Sequence, residues 1–162
     1  MKNLSDVLKA LASADVDFIL VGGIAAAAHG SARVTQDVDV VYRRGPDNLG
    51  RLVSALGGAK PYLRGAPPGL PFRFDAPTLA SGLNFTLITD LGAIDLLGEI
   101  PGGGKYEDLE PHSINVDVFG ITCRVLDLET LIVTKRAAGR PKDLDALAEL
   151  EAILDRRRSR SD

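Results

Sequence analysis

The sequence predicts an α/β (α+β) domain: a short mixed β-sheet flanked by helices, with a C-terminal helical hairpin. Three observations carry that expectation. The apolar run Phe18-Ile19-Leu20-Val21 ends in Gly22-Gly23 and passes into an alanine-rich stretch, strand and helix signals then alternate through the first third, and leucines near the C-terminus recur at helical spacing. At 162 residues, with 45% hydrophobic and 25% charged residues, the chain fits one domain. We assign it residues 1–155, followed by a basic, disordered tail at 156–162.

Taken in order, residues 5 to 14 form a helix on Ser5 as N-cap, with Asp6 in the first turn and Val7, Leu8, Leu11 and Ala12 as an apolar stripe. The strand at 18 to 21 follows, and His29 ends the short helix after the diglycine. A second strand carries Asp37-Val38-Asp39-Val40. Side chains alternate along a strand, so the two aspartates share one face, about 6.5 Å apart, and the valines face the opposite layer. After Arg43-Arg44-Gly45, Pro46 opens a helix with Leu49, Leu52, Val53 and Leu56, which Gly57-Gly58 stops.

Residues 60 to 78 hold Pro61, Pro67, Pro68, Pro71 and Pro77 and read as an irregular connector. Its Arg64 and Arg73 stand among Tyr62, Phe72 and Phe74, a mixture that could contact a nucleotide base or RNA, but the favoured reading is that the rings anchor the connector in the core. Strands at 84 to 89 and 93 to 97 join through Asp90-Leu91-Gly92, and Asp95 sits between Ile94 and Leu96. A charge so placed needs a partner if it is buried. Residues 98 to 105 imitate a phosphate-binding loop, but Glu99 stands where its first glycine belongs and Tyr106 replaces the hydroxyl, leaving a flexible loop. A hairpin around Gly120 carries Asp117. Asp127 caps a helix with Leu128, Leu131, Ile132 and Lys135 that ends near Gly139, and Pro141 starts the last one, with Leu144, Leu147, Leu150, Ile153 and Leu154.

A net charge of −3 gives no global pull toward nucleic acid, and a single cysteine, Cys123, allows no intrachain disulfide. Lys2 and Lys9 are outweighed by Asp6, Asp15 and Asp17, against a secretion signal, and the run from Phe18 is too short to span a bilayer. A cytoplasmic protein without membrane contact is expected.

Two carboxylates on one strand face can bracket a hard divalent cation, and a glycine-relaxed turn lets backbone N–H groups receive a phosphate. Together they suggest nucleotide chemistry. The string Gly22-Gly23-x-Ala25, His29-Gly30, Arg33, Thr35, Asp37-Val38-Asp39 resembles the minimal branch of the DNA polymerase β-like nucleotidyltransferase superfamily, which includes toxin and abortive-infection enzymes. The resemblance implies the nucleotidyltransferase fold and transfer of a nucleoside monophosphate from a nucleoside triphosphate to an acceptor hydroxyl on RNA such as tRNA, on a protein or on a small molecule. It implies two Mg2+ ions on Asp37, Asp39 and a third acid. Ile94-Asp95-Leu96 matches the form of that acid, with Asp117 as rival.

It further implies Gly22, Gly23, Arg33, Thr35 and Lys135 as nucleotide-binding residues. The segment from Lys135 to Asp143 resembles a hairpin in which a lysine faces the triphosphate. Many members carry Gly-Ser where this chain has Gly22-Gly23, so phosphate binding would lean on backbone amides, Arg33 or a lysine. A toxin role with an antitoxin partner belongs to the same resemblance. The alternative from another class is a catalytically inactive nucleotide-binding or protein-interaction module that retains the fold. A dinucleotide-binding dehydrogenase is weaker, because Gly-x-Gly-x-x-Gly is absent.

Overall fold

Two apolar strands early in the chain set the core of the computed structural model, which describes residues 4–161. Strand β1 (Phe18–Val21) is buried along its whole length. It pairs antiparallel with β2 (Asp37–Tyr42), and Val38 and Val40 of β2 are fully buried. Between them lies helix α2 (Gly22–Ala28), which starts directly at Gly22. Ahead of them, α1 (Leu4–Ser13) buries Val7, Leu8 and Leu11 as its 3.6-residue period requires. It begins before Ser5, so its N-cap lies outside the described residues.

Next comes α3 (Pro46–Leu56), with its proline at the start and Leu49, Leu52 and Leu56 buried. The remaining elements are β3 (Tyr62–Leu63), α4 (Ala76–Ser81), β4 (Phe85–Thr89), β5 (Gly92–Leu97), β6 (Glu99–Ile100), β7 (Gly104–Lys105), α5 (Tyr106–Leu109), β8 (Ser113–Val118), β9 (Ile121–Leu126), α6 (Leu128–Ala138) and α7 (Pro141–Ser161). Seven strands form one mixed sheet in the order β3-β4-β5-β2-β1-β9-β8. Among the described residues β2–β5 and β1–β9 run parallel and the other pairs antiparallel. No helix among the described residues is long and apolar enough to cross a membrane.

The structure differs from expectation in three places. The proline-rich connector is not irregular throughout: it contributes edge strand β3 and helix α4, which Asp75 caps by accepting from the Thr78 N–H at 2.9 Å. Its aromatics do anchor it, with Phe72 and Phe74 against the core and Tyr62 edge-on to Phe72 at 6.4 Å. Residues 98 to 105, expected to be a flexible loop, pair as the small β6–β7 hairpin.

The third correction concerns the tail. Residues 156 to 161, expected to be disordered, continue α7. Arg157 donates to the His29 carbonyl at 3.0 Å and lies 3.1 Å from its Nδ1, while Arg158 reaches Glu129 of α6 at 3.4 Å. Cations at a helix C-terminus also oppose its macrodipole favourably.

Candidate active site

Strand alternation and register build the site. Asp37 and Asp39 project from one face of β2, and the parallel register sets Asp39 beside Asp95 and Asp37 beside Ala93 of β5. Neighbouring strands lie about 4.8 Å apart, so the third acid stands next to the second. On the reverse face Val38, Val40, Ile94 and Leu96 are fully buried, and this apolar layer fixes the register that faces all three acids outward.

The diglycine is shaped to these side chains. Gly22 has φ +66°, and a Cβ there would lie 2.1 Å from Asp39 Oδ2. A Cβ on Gly23 would lie 2.6 Å from Thr35 Oγ1. Thr35 Oγ1 in turn donates to the Asp37 carbonyl at 3.3 Å, tying the loop to the start of β2. Arg33 is exposed and donates to the Asp145 carbonyl of α7 at 2.9 Å. Neither Arg33 nor Thr35 faces the cavity beside the acids.

That cavity, of about 360 Å³, lies between the sheet face and the α6–α7 hairpin. Asp37, Asp39 and Asp95 line one side, and Lys135, Arg140 and Lys142 the other. Asp143, only 2% exposed, sets the two anchored cations: Arg140 Nε donates to it at 2.7 Å and Lys135 Nζ lies 3.6 Å away. Burial pushes the Asp143 carboxyl up, but the Arg140 hydrogen bond and the charges of Arg140 and Lys135 outweigh it and hold the group below the usual carboxylate range.

Asp39 goes the other way. Burial, then the charge of Asp95 and a hydrogen bond with it, and then the charge of Asp37 push its carboxyl up to about 7, against a small opposing effect of Lys142. Oδ1 of Asp39 and Oδ1 of Asp95 are buried with no hydrogen-bond partner. Anionic oxygens in that state are costly, and a hard cation is the ligand that would satisfy them. The donor set therefore fits magnesium. No group of three His, Cys, Asp or Glu side chains among the described residues is gathered into a ready coordination shell. A guanidinium intervenes instead, as Arg64 stands 2.9 Å from Asp95 Oδ1 and 3.6 Å from Asp37 Oδ2.

Asp117 is exposed on edge strand β8, with β9, β1 and β2 between it and β5, so the rival acid plays no part in this cluster. His29 is buried with Nε2 2.8 Å from the Leu126 carbonyl, and burial lowers its basicity.

The family described as "Nucleotidyl transferase AbiEii toxin, Type IV TA system" matches residues 6–160. The chain belongs to this AbiEii family. The match runs from α1 to the end of α7 and so includes both walls of the cavity. Two solved structures share the fold. A Thermotoga maritima protein assigned as a nucleotidyltransferase aligns over 90% of this chain and 88% of its own, with TM-score 0.57 and 16% identity. ANT(2″)-Ia, solved with adenylyl-2″-tobramycin, aligns over 98% of this chain and 97% of its own, with TM-score 0.53 and 14% identity. No curated protein sequence matches the chain.

Three residues of this AbiEii site carried no role in the sequence reading. Asp143 resembles an ordinary acid in a first helical turn, and Arg140 and Lys142 resemble solvated charges around Pro141. What could have marked them is Lys135 eight positions before an acid at the start of the next helix, a spacing that a tight hairpin folds together. Arg64 was noted only within a basic and aromatic connector, and its place beside the acids had no such signal.

Proposed function

We propose that this AbiEii-family nucleotidyltransferase transfers a nucleoside monophosphate from a nucleoside triphosphate to an acceptor hydroxyl. The observation that carries this reading is the row of three aspartates, two with buried oxygens that accept no hydrogen bond, facing three cations across one cavity. In the reaction the acceptor oxygen bonds to the α-phosphorus, the bond from that phosphorus to the bridging oxygen breaks, pyrophosphate leaves, and the acceptor proton passes to solvent. Charge spreads over phosphoryl oxygens, so the protein mainly positions groups and neutralises charge.

Asp37, Asp39 and Asp95 are the residues that would hold magnesium, as two ions. Such ions polarise the phosphoryl oxygens and make the acceptor hydroxyl more acidic. Gly22 lines the cavity and, lacking a Cβ, lets Asp39 pack against the bend where backbone N–H groups would receive a phosphate, while Gly23 packs against Thr35 behind it. Lys135 and Arg140, steadied by Asp143, and Lys142 offset triphosphate charge. Thr35 steadies the loop leading into β2, and Arg33 fastens that loop to α7, from where a phosphate contact requires it to turn.

The acceptor falls within RNA such as tRNA, protein or small alcohol, all of which suit the same chemistry. A toxin role with an antitoxin partner accords with the family, and the reaction belongs in the cytoplasm, where nucleoside triphosphates are found. A second reading, a nucleotide-binding module without catalysis, is favoured by one observation, the Arg64 guanidinium lying among the acids.

The test is incubation with each labelled nucleoside triphosphate, Mg2+, and total RNA or protein. Label should appear on one acceptor class and vanish in Asp39→Ala. Transfer that survives this substitution overturns the metal assignment, and no transfer with any donor favours the module.

A further inference from the structure

The cation nearest the carboxylates comes from the edge of the sheet. Arg64 directly follows β3, and its backbone N–H donates to the Thr86 carbonyl at 2.9 Å. Thr86 is opposite Asp95, and Asp95 is opposite Asp39. Arg64, Thr86, Asp95 and Asp39 therefore occupy one row across neighbouring strands. From the edge, the arginine reaches over exposed Thr86 to the acids.

Its attachment there is loose in geometry but strong in charge. Nη2 donates to the Leu87 carbonyl at 2.8 Å and lies 2.9 Å from Asp95 Oδ1, yet without the alignment of a hydrogen bond. Nη1 is 3.6 Å from Asp37 Oδ2, and Nε is buried with no partner. A well-fitted arginine would present two parallel N–H donors to one carboxylate. Here one guanidinium is stretched between two carboxylates on different strands, and it returns a single positive charge against three acids. A divalent cation would return more charge and accept oxygen from each acid.

We propose that Arg64 is a positioning residue that holds Asp37 and Asp95 at the site while no metal is bound, and that it competes with a divalent cation for them. The inference rests on the reading of Asp37, Asp39 and Asp95 as metal ligands. Cation binding then requires the guanidinium to swing away from Asp37 and Asp95, and removing it should tighten metal binding instead of weakening it. A purely structural arginine would have the opposite effect or none.

The test is titration of the full chain, without nucleotide, with Mn2+, followed by the EPR signal of the free ion. Arg64→Gln should bind Mn2+ about fivefold more tightly than the parent, the range that a partly exposed ion pair can withhold. In EDTA the same variant should melt at a lower temperature, and saturating Mn2+ should close that gap. Arg64→Lys, which keeps the charge but cannot span both acids, should bind with intermediate affinity, and it serves as the measurement if Arg64→Gln does not fold. Equal or weaker Mn2+ binding by these variants, while the parent binds and Asp39→Asn does not, overturns the Arg64 inference alone. If the parent binds no Mn2+, both this inference and the metal-ligand reading fail.

Discussion

The two ends of β2 treat the same residue types in opposite ways. Past its C-terminal end, Asp17 and Asp47 meet Arg43 and Arg51, with Arg43 2.8 Å from one and 2.9 Å from the other. The hydrogen bond from Arg43 holds the exposed Asp47 carboxyl down at about 2. Between them the fully buried Asn48 accepts from the Asp17 N–H at 2.7 Å and donates to the Asp17 and Arg43 carbonyls at 3.0 and 2.7 Å. At the N-terminal end Asp39 is pushed up to about 7, and two carboxylate oxygens have no hydrogen-bond partner. Polar groups that are fully partnered build the fold, and those left short of partners mark where a ligand completes the site.

The sharpest way to break this contrast is to neutralise one acid at each end. Asp95→Asn should lower nucleotidyl transfer by about a thousandfold or more while the protein still folds, because a group acting on the transition state is lost. Asp47→Asn should leave transfer within about twofold. Labelled-nucleotide incorporation by both variants, with thermal melting as the folding control, decides the matter. Equal losses would erase the distinction.

A smaller effect is expected from the satisfied end. Asn48→Ala leaves the part-buried Asp17 N–H and Arg43 carbonyl without their side-chain partner, while the Asp17 carbonyl keeps the Arg43 N–H at 3.2 Å, and should cost about 2 kcal/mol of stability in urea unfolding. Transfer below the melting range should persist. A loss under about 0.5 kcal/mol would show that the Asn48 bonds contribute little.

The smallest effect is in pH dependence, and it has opposite signs at the two ends. Asp39 is protonated in the folded state up to about 7 but loses its proton near 3.8 when unfolded. Its contribution is thus fully present below the unfolded value and is lost as pH rises toward 7. Asp47, with a folded value of about 2, contributes stability above 3.8 that is lost as pH falls toward 2. In EDTA, the melting temperature should therefore decline between pH 4 and 7, and Asp39→Asn should flatten that decline. A parent protein that gains stability over this interval would refute the assignment.

Much of this site was readable along the chain, because strand periodicity is local. Val38 and Val40 alternating with Asp37 and Asp39, and Ile94 and Leu96 around Asp95, expose the acids to a common face once β2 and β5 pair. Arg64 was not readable. It reaches the acids only because β3 and β4 flank β5, and nothing in a proline-rich stretch announces that order. The basic end of α7 was misread for a related reason. The partner that orders Arg157 is His29, which lies 128 positions earlier.

The diglycine bend has a consequence for how such a chain can change. The space above Gly23 belongs to the Thr35 hydroxyl, and the space above Gly22 belongs to a carboxylate oxygen of Asp39. A lineage exchanging Gly23 for serine would have to shrink or reorient position 35 in the same episode. Bend, loop and acidic strand are therefore inherited as one interlocked unit, and a substitution that looks mild in any one of them is constrained by the other two.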